Sequence, residues 1–540
     1  MSAVKTSVQQ LDAVVVGAGF AGLYQLQRLR EKGMSVCLFE AGDGVGGTWF
    51  WNRYPGARVD SQSEIYQYWF SDELLAEWNW SERFPAQAET ERYLNFVTDK
   101  FKLREDIQFN TRVKAATFDE ATQRWTIATE SGQQVSAQFL VMASGGLSAP
   151  VTPAIPGLEN FKGQTLHTAA WPKEGIDLTG KRVGVIGTGA TGIQVIQTIA
   201  SQVKHLTVFQ RTANYSIPMR NPKYDDDMRA TLRAGYPELK QRVQNTFAGF
   251  DFDFSDKNFH DYSPAEQQHM LQKLWDDGSL GFWVGSVKEV FFEEAVSEVF
   301  SEFVRERIRA RVKDPKVAEM LAPRDHGFGT RRVPLETGYY EAFNRDNVLL
   351  VDTRQTPIER MTQTGLETSA AKHELDILIF ATGFDAGTGS LTRVDIRGRD
   401  GVLLRDTWAE EGIRTTMGLQ VHGYPNMFMT MAPFSPAAAF CNVPTCVQQQ
   451  VDWITDCIDY VRATGRRSIE PSAETESKWV AHHVEVAAQT LVGKTNNSWY
   501  TGANVKGKQR TLLAYAGGVG PYRQTCEDVK ASGYEGFVTA

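Results

Sequence analysis

Two copies of one pattern, a strand followed by a glycine turn and a helix, constrain the fold of this chain more than any other feature. The first copy begins near Asp12 and ends, after a second apolar run, at Glu40. The second begins at Lys181 and repeats the same order as far as Thr212. Each copy has the periodicity of a βαβ unit whose turn can hold the phosphates of a nucleotide. The sequence therefore predicts an α/β protein with two Rossmann-like dinucleotide-binding domains.

The first glycine turn has the spacing that pyrophosphate binding requires. Its residues are Gly17-Ala18-Gly19-Phe20-Ala21-Gly22. Gly17 permits the tight turn, Gly19 lets the backbone approach the pyrophosphate, and Gly22 lets the helix pack against the strand. Glu40 follows at roughly the 20-residue distance of a carboxylate that binds a ribose hydroxyl. FAD or NAD fits such a site, and the 2′-phosphate of NADP does not.

The second glycine turn leads to a different strand end. The turn consists of Gly187-Thr188-Gly189-Ala190-Thr191-Gly192. Where an NAD site has a carboxylate, this strand ends in Gln210, Arg211 and Thr212. A guanidinium can bind a 2′-phosphate through bidentate, charge-assisted hydrogen bonds, so NADPH is expected in preference to NADH. Two such sites in one chain suggest a flavoprotein in which NADPH passes hydride to FAD.

The charge and hydropathy of the chain limit the classes of partner that we expect it to bind. The net charge is -8 over 540 residues without a basic block, which argues against nucleic-acid binding. The apolar runs are shorter than the ~20 residues that span a bilayer. Residues 1–12 are polar and lack the apolar core of a signal peptide. We expect a soluble, cytoplasmic protein that binds small molecules, with no membrane partner.

The cysteines bear on the redox class of the protein. The five cysteines are Cys37, Cys441, Cys446, Cys457 and Cys526. So few in a chain of this length are expected to be reduced, buried thiols and not a disulfide framework. A disulfide reductase of this architecture needs a cysteine pair soon after the first βαβ unit, and that part of the sequence has none. Cys441 and Cys446 have a reductase-like C-x4-C spacing but lie near the other end of the chain.

Two longer motifs resemble those of a known family. Residues 161–172 match the fingerprint FxGxxxHxxxWP through Phe161, Gly163, His167, Trp171 and Pro172. Residues 46–60 match GGxWxxxxYPGxxxD, a stretch that includes Gly47, Thr48, Trp49 and Asp60. On these motifs the chain resembles the type I Baeyer-Villiger monooxygenases over nearly its whole length. Within that family it is most similar to the phenylacetone, cyclopentanone and cyclohexanone monooxygenase branches.

The resemblance implies a set of cofactors and a reaction. FAD and NADPH would be the cofactors, and a ketone and O2 the substrates. In this family O2 adds to the reduced flavin at C4a, and the resulting peroxide attacks the ketone carbonyl. The tetrahedral Criegee intermediate then rearranges to an ester or a lactone. Sulfide oxidation is an expected side activity.

The resemblance also implies how the chain is divided. FAD would be bound by the N-terminal unit together with the C-terminal region, and NADP by the middle of the chain. Residues 149–157 contain three prolines and indicate an extended connection, whereas residues 221–324 have the apolar spacing of helices. We therefore expect residues 1–148 and 384–540 to form the FAD domain, residues 149–220 and 329–383 the NADP domain, and residues 221–328 a helical insertion in it.

The catalytic residues follow from one further stretch. Gly329-Thr330-Arg331-Arg332 matches the family's G-T-K-R, which implies that Arg332 is the catalytic arginine. Asp60 would be the catalytic-site carboxylate that contacts it. Arg331 stands where lysine is usual and would bind the 2′-phosphate together with Arg211 and Thr212.

The substrate pocket is expected where the C-terminal region meets the flavin. There the chain resembles the branch with a longer loop, whose small alanines would leave room for a substrate. The pocket candidates are Leu147, Phe434, Ser435, Ala439, Phe440 and Trp499, of which Trp499 is also expected to contact a cofactor. His167 and Trp171 would lie on the connection between the domains, and His167 is not expected to transfer protons.

Two other functions remain open on the sequence. A flavin monooxygenase that oxidises nitrogen or sulfur would use the same cofactors, although the WP end of the fingerprint, Arg332 and Asp60 favour ketone chemistry. A redox-sensing protein would hold FAD and NADP without turnover. The expected assembly is a monomer or a weak homo-oligomer.

Overall fold

The computed structural model describes residues 8–437, 440–495 and 498–540. Strands and helices alternate over most of these ranges. The strands are β1 (Gln9–Val16), β2 (Val36–Phe39), β3 (Ile107–Gln108), β4 (Val113–Asp119), β5 (Arg124–Thr129), β6 (Gln134–Met142), β7 (Gln164–His167), β8 (Arg182–Ile186), β9 (His205–Gln210), β10 (Ile217–Pro218), β11 (Leu335–Glu336), β12 (Val348–Asp352), β13 (Ile358–Thr362), β14 (Gly365–Thr368), β15 (Lys372–Glu374), β16 (Ile377–Phe380), β17 (Asp395–Arg397), β18 (Met427–Met429), β19 (Ile469–Pro471) and β20 (Phe537–Thr539).

The helices lie mainly between and after these strands. The α-helices are α1 (Phe20–Glu31), α2 (Thr48–Trp51), α3 (Asp72–Glu77), α4 (Gln87–Lys100), α5 (Ala190–Ile199), α6 (Asp226–Ala234), α7 (Tyr236–Asn245), α8 (Pro264–Asp277), α9 (Gly281–Val284), α10 (Glu294–Arg311), α11 (Pro315–Leu321), α12 (Tyr339–Ala342), α13 (Gly389–Thr392), α14 (Leu404–Glu410), α15 (Val443–Ala463), α16 (Ala473–Gln489), α17 (Leu491–Lys494) and α18 (Val519–Ala531). Short 3-10 helices cover Leu103–Asp106, Leu158–Asn160, Thr168–Ala170, Phe259–Asp261, Lys288–Phe291, Arg399–Gly401 and Trp499–Thr501.

The first sheet contains strands from both ends of the chain. Its order is β17-β4-β5-β6-β1-β2-β3, and β18 also pairs with β6. The central strand β1 is parallel to β2 and β6, so that Val14 lies between Cys37 and Leu140. These strands are apolar and buried, as expected at the centre of a parallel sheet with both faces covered. Helix α1, which follows the first glycine turn, packs against α15 from the C-terminal region.

The second sheet is formed by the middle of the chain. Its order is β12-β9-β8-β16-β7, and all of its neighbouring strands are parallel. Val185 of β8 lies between Val208 of β9 and Ile379 of β16. Helix α5 follows β8 directly after the second glycine turn. The two sheets confirm the prediction of two Rossmann-like units.

A run of helices, α6 to α11, separates β10 from β11. These two short strands pair in parallel, with Ile217 opposite Leu335, so the insertion leaves and re-enters the second unit at one place. At its end the Phe328 ring lies 5.4 Å from Phe282 and 5.9 Å from Phe300. The backbone N–H of Phe328 donates to Ser301 Oγ at 2.9 Å. Because Phe328 precedes Gly329, the helices anchor the stretch that carries Arg331 and Arg332.

Two connecting segments run side by side between the sheets. The N–H of Val151 donates to the carbonyl oxygen of Gly383 at 2.9 Å, and that of Asp385 to the carbonyl oxygen of Ala149 at 2.8 Å. The domain boundaries expected after residues 148 and 383 fall in these segments, and the division into domains stays a prediction. No helix in the described ranges is long and apolar enough to cross a bilayer.

The cysteine prediction is wrong for one pair. Cys441 and Cys446 form a disulfide, with Cα atoms 6.4 Å apart. Cys37, Cys457 and Cys526 are free and buried, as expected. The pair was missed because helix α15 begins at Val443, two residues after Cys441, and turns Cys446 towards it, which a count of cysteines does not reveal.

Candidate active site

The first glycine turn lies where β1 passes into α1. Gly17 has φ +105°, and a Cβ on it would lie 2.6 Å from the carbonyl oxygen of Ala143 at the end of β6. A Cβ on Gly22 would overlap the carbonyl oxygen of Gly17. Neither position tolerates a side chain. Gly19 is the N-cap of α1, whose free N–H groups are placed to bind a pyrophosphate.

Glu40 follows β2 and is buried against this turn. Its Oε2 accepts a hydrogen bond from the N–H of Ala18 at 2.7 Å, and its Oε1 accepts one from the N–H of Gly42 at 2.7 Å. Each carboxylate oxygen can accept a further bond. Glu40 also lines the cavity described below, so a ribose hydroxyl can reach it.

The loop directly before α2 covers the first glycine turn closely. Gly47 has φ +54°, and a Cβ on it would lie 2.8 Å from Cα of Gly19. Thr48 and Trp49 follow on the cavity wall. A side chain at position 47 would therefore push this loop away from the turn that holds the pyrophosphate.

The second glycine turn repeats the geometry of the first. Gly187 has φ +110°, and a Cβ on it would overlap the carbonyl oxygen of Ala381 at the end of β16. A Cβ on Gly192 would overlap the carbonyl oxygen of Gly187. Gly189 is the N-cap of α5 and has no atom within 4 Å of the position of a Cβ, which leaves space for a phosphate. The second turn thus fits a dinucleotide as the first does.

Three arginines gather beside the second turn. Arg211 follows β9, Arg354 follows β12, and Arg331 lies next to Arg332. Nε and Nη2 of Arg331 are buried and have no hydrogen-bond partner among the described residues. Nη2 of Arg354 donates to Thr212 Oγ1 at 2.9 Å. Burial lowers the pKa of Arg331, and the charges of Arg211 and Arg354 lower it further, so a phosphate dianion is the group that this cluster fits.

Asp325 supplies a negative charge to this cluster. It pairs with Arg354 and with Nδ1 of His326, the latter at 2.7 Å. Burial raises the pKa of the Asp325 carboxyl, but the hydrogen bonds from His326 and Arg354 bring it below its ordinary value. Arg354 was not predicted from the sequence. Arg354 lies just after β12, which is the neighbour of β9. Because parallel strands end at the same edge of a sheet, this position could have indicated that Arg354 lies near Arg211.

One cavity of about 1270 Å³ contains both glycine turns. The predicted residues on its wall are Gly17, Gly19, Phe20, Glu40, Gly47, Thr48, Trp49, Asp60, Leu147, Gly187, Thr188, Gly189, Ala190, Thr191, Arg211, Thr212, Arg331, Arg332 and Trp499. Gly22 and Gly192 lie behind the wall, where each lets a helix approach a strand end. Both turns line the same cavity, so nucleotides bound at the two turns would share it.

Arg332 and Asp60 form an ion pair on this wall. Nη2 of Arg332 lies 3.2 Å from Oδ2 of Asp60, and the two side chains are 21% and 8% exposed. Burial lowers the pKa of the Arg332 guanidinium, but Asp60 and Tyr500 raise it above its ordinary value, so Arg332 stays charged. Burial raises the pKa of the Asp60 carboxyl, and Arg332 opposes this rise.

Neighbouring side chains hold Arg332 in place. Nδ2 of Asn214 donates to the carbonyl oxygen of Arg332 at 3.1 Å. The guanidinium carbon lies 5.9 Å from the ring of Trp283, within reach of a cation–π contact. Burial raises the pKa of the Tyr500 hydroxyl, which faces the guanidinium and stays protonated. The fold thus presents a fixed cation to the cavity.

His167 contacts both connecting segments between the sheets. Its Nδ1 accepts a hydrogen bond from the N–H of Ala169 at 3.1 Å. Its Nε2 lies 3.4 Å from the carbonyl oxygen of Val151 and 3.5 Å from Thr382 Oγ1. Burial lowers the pKa of His167, so the ring is neutral at pH 7. Its place on the connection between the domains and its role stay predictions.

The rest of the fingerprint supports the second sheet. A Cβ on Gly163 would overlap the Phe161 ring and the carbonyl oxygen of Asp376. Trp171, followed by Pro172, is buried in the core of the second unit. None of the five fixed fingerprint residues lies on the cavity wall.

Three of the predicted pocket residues do not line the cavity. Phe434 has φ +70°, which turns its ring away to stack on His483 at 4.0 Å. Ser435 is buried, and its Oγ donates to the carbonyl oxygen of Ala432 at 2.8 Å. Phe440 packs in the core, 5.9 Å from the ring of Phe291. Their contact with a substrate stays a prediction, because a sequence match does not give the direction of a loop side chain.

The cavity wall near the 433–442 loop has other members. Leu147 and Trp499 line it as predicted, and Ala439 lies outside the described residues. Wall residues that the sequence did not single out are Phe250, Pro433, Ala437, Cys441 and Tyr500. Phe250 belongs to the helical insertion, which therefore also contributes to the cavity.

Two nucleotide turns that open into one cavity, with a cation cluster at the second, define an oxidoreductase that uses a flavin and a nicotinamide nucleotide. The pyridine nucleotide-disulphide oxidoreductase family model matches residues 11–235. The chain is 53% identical to the acetone monooxygenase (methyl acetate-forming) of Gordonia sp. (strain TY-5), over 98% of this chain and 99% of that protein. It is 42% identical to a Baeyer-Villiger monooxygenase of Pseudooceanicola batsensis, over 99% and 97%. The chain belongs to the Baeyer-Villiger monooxygenases.

The fold is similar to that of a solved member. A crystal structure of OTEMO in complex with FAD and NADP has a TM-score of 0.95 to this chain, at 41% identity over 99% of this chain and 100% of that one. FAD and NADPH are accordingly the cofactors of this enzyme. The family model named for disulphide oxidoreductases ends at residue 235, before Cys441 and Cys446, so it gives that pair no reductase role.

Proposed function

We propose that the enzyme converts ketones to esters or lactones with Arg332 as its catalytic residue. The observation that carries this proposal is the Arg332–Asp60 ion pair on the wall of the cavity that contains both nucleotide turns. NADPH supplies hydride to bound FAD, and the reduced flavin activates O2. O2 and a small ketone are the co-substrates.

Arg332 would stabilise negative charge on oxygen. Its guanidinium stays protonated, and its fork of donors can meet two oxygen atoms at once. One is the oxygen that attacks the ketone, and the other is the carbonyl oxygen, which gains charge during attack. A fixed donor in a water-poor site stabilises such charge far more than water does, because it needs no reorganisation. Asp60 would orient the fork without contacting the substrate.

The remaining site residues would bind and position the cofactors. The Gly17–Gly22 turn, with Glu40, Gly47, Thr48 and Trp49, would hold FAD. The Gly187–Gly192 turn would hold the pyrophosphate of NADPH, and Arg211, Thr212, Arg331 and Arg354 its 2′-phosphate. A bound nucleotide in this cavity also excludes water from the reacting oxygen.

A small ketone is the substrate that the site supports best. The relative at 53% identity is named an acetone monooxygenase. The aromatic side chains of Phe250 and Trp499 line the cavity together with Leu147. Bulky, rigid walls favour compact substrates, since each extra methylene must find space beside the bound cofactors.

The proposal extends to the organisation of the protein. We propose that residues 1–148 and 384–540 form the FAD domain, and that residues 149–220 and 329–383 form the NADP domain around the insertion 221–328. We also propose a cytoplasmic enzyme that is a monomer or a weak homo-oligomer. Gel filtration with light scattering would test the assembly.

The activity is tested with a panel of linear, cyclic and aryl ketones. NADPH consumption in air should rise with added ketone, and product analysis should find the ester or lactone. A protein that holds both cofactors but does not respond to ketone would be a redox sensor. Turnover with amines or sulfides alone would make the enzyme a heteroatom monooxygenase.

The role of Arg332 is tested by Arg332→Ala. The flavin of the variant should still be reduced by NADPH without O2. Ester formation should fall by about 100-fold or more, as it does when an enzyme loses one hydrogen-bond donor to an oxyanion. Arg345→Ala is the control, because Arg345 is an exposed arginine of the same unit away from the cavity. Ester formation by Arg332→Ala at the normal rate would contradict the assignment.

A further inference from the structure

Gln194 joins the second nucleotide unit to the first through both ends of its side-chain amide. It lies one turn into α5 and is 4% exposed. The hydroxyl of Tyr54 donates to its Oε1 at 2.9 Å, and its Nε2 donates to the carbonyl oxygen of Arg58 at 3.1 Å. Tyr54 and Arg58 belong to the motif that ends at Asp60. Two partly buried hydrogen bonds thus connect α5 to the segment that carries this carboxylate.

The segment lies directly on α5. Gly56 has φ +83°, and a Cβ on it would lie 2.6 Å from the carbonyl oxygen of Gln194. Any side chain at this position would lift the segment off the helix. The close approach explains why the motif has a glycine here, and it brings the Tyr54 hydroxyl to 3.5 Å from Oγ1 of Thr191 in the nucleotide turn.

The same helix also contacts the chain that carries Arg332. Oε1 of Gln197, one turn further along α5, accepts a hydrogen bond from the backbone N–H of Thr337 at 2.9 Å. Thr337 follows β11, shortly after Arg332. Helix α5 therefore contacts the chain before Asp60 and the chain after Arg332. Its first turn lines the NADP site, so a nucleotide bound there rests on the element that holds both partners.

We propose that Gln194 is a positioning residue, which fixes the segment carrying Asp60 relative to Arg332 across the boundary between the two nucleotide units. The inference rests on the proposed role of Arg332. Alignment of this pair matters because a displacement of about 1 Å at a reacting group can cost on the order of 100-fold in rate. Gln194 would act on the oxygenation step and not on NADPH binding, since its side chain does not line the cavity.

Three variants test this role. Gln194→Leu has a similar volume and removes both hydrogen bonds. Gln194→Glu keeps an acceptor for the Tyr54 hydroxyl but loses the donor to Arg58. The double variant Tyr54→Phe, Gln194→Leu also removes the Tyr54 hydroxyl, whose remaining contact in the first variant is Thr191 Oγ1 at 3.5 Å, and this limits the loss of stability. The matched control is Gln202→Leu, because Gln202 is exposed and contacts Thr198 of the same part of the chain.

The measurements separate positioning from folding. They are the rate of flavin reduction by NADPH without O2, the ester formed per NADPH consumed in air, the hydrogen peroxide released, and the melting temperature. For Gln194→Leu and the double variant, the ester per NADPH should fall by about tenfold, with a matching rise in peroxide, while flavin reduction changes by less than about twofold. Gln194→Glu should recover part of the yield, and Gln202→Leu should match the wild type.

Two results would overturn the inference. One is a wild-type yield of ester per NADPH in the folded double variant. The other is an equal slowing of flavin reduction and oxygenation, which would mean that Gln194 serves nucleotide binding. If the wild type itself forms no ester from any ketone, the proposed function fails first, so the two failures can be told apart.

Discussion

Nη2 of Arg332 lies 3.2 Å from Oδ2 of Asp60, although 272 positions of sequence separate the two residues. Asp60 ends the loop after the first βαβ unit, and Arg332 follows the helical insertion of the second. The pair therefore forms only when both nucleotide units and the insertion are assembled. It places a permanent positive charge on the wall that both cofactor sites share.

Asp60→Ala should reduce both stability and oxygenation. Removing the carboxylate takes one charged hydrogen-bond partner from Arg332 and costs about 1.5 to 3 kcal/mol. Urea unfolding should show a lower free energy of unfolding, and the ester yield per NADPH should fall. Asp60→Asn keeps the size and one acceptor, so its loss of stability should be smaller. Equal stability of Asp60→Ala and the wild type would contradict the pairing.

Arg354→Ala should weaken NADPH binding and leave NADH binding unchanged. Its Nη2 donates to Thr212 Oγ1, and it belongs to the cation cluster beside the second turn. Loss of one charged contact to a 2′-phosphate costs about 1.4 kcal/mol, or about tenfold in KM. Steady-state kinetics with both nucleotides measure the ratio, with Arg345→Ala as the control. An unchanged ratio of the two KM values would remove Arg354 from the site.

Gly22→Ala and Gly192→Ala should each damage one cofactor site. In both cases the added methyl overlaps a backbone carbonyl oxygen that cannot move without disrupting a strand end. Gly22→Ala should purify without FAD, as flavin absorbance would show. Gly192→Ala should keep FAD but lose its reduction by NADPH. Gly235→Ala is the control, because Gly235 has φ -88° and a Cβ there would make only ordinary contacts, the nearest at 3.5 Å.

The protein should lose stability as the pH falls below about 6.5. Burial lowers the pKa of His483 from 6.5 to about 4, and its Nε2 donates to the carbonyl oxygen of Leu512 at 2.7 Å. The unfolded chain binds this proton at a higher pH than the folded one, so unfolding is favoured progressively from about pH 6.5 down to about pH 4. The full effect is roughly 3 kcal/mol.

A variant isolates this contribution. His483→Gln keeps a donor for Leu512 but does not titrate, so its free energy of unfolding should fall less than that of the wild type between about pH 7 and about pH 5. Urea unfolding at the two pH values measures the difference. Identical losses in both proteins would mean that the pKa of His483 is the same in the folded and the unfolded chain.

Thiol titration should count fewer reactive groups than the sequence contains. With Cys441 and Cys446 bridged and Cys37, Cys457 and Cys526 free, the unfolded, unreduced protein should react at 3 thiols per chain, and at 5 after reduction. Cys441→Ser should give 4 in both conditions. Five thiols before reduction would show that the pair is not bridged.

Local sequence patterns were sufficient to predict where the two nucleotide turns lie. Gly17 and Gly187 need positive φ angles, and Gly22 and Gly192 need the absence of a Cβ, so the residue type itself reports the geometry. Apolar periodicity likewise indicated the strands and helices on either side. The direction of a loop side chain is not carried by such patterns. Phe434 has φ +70°, which its residue type does not indicate, and its ring stacks on His483.

The sequence by itself determined which cofactor chemistry this protein can hold, because the steric demands of a phosphate turn are met by residues within one βαβ unit. The tertiary structure alone decided what faces the cofactors. Asp60 meets Arg332, Arg354 joins Arg331 and Arg211, and Gln194 reaches the 54–60 segment, all through contacts between distant parts of the chain. Such contacts depend on how two sheets and an insertion pack together, and local patterns of residues do not carry that information.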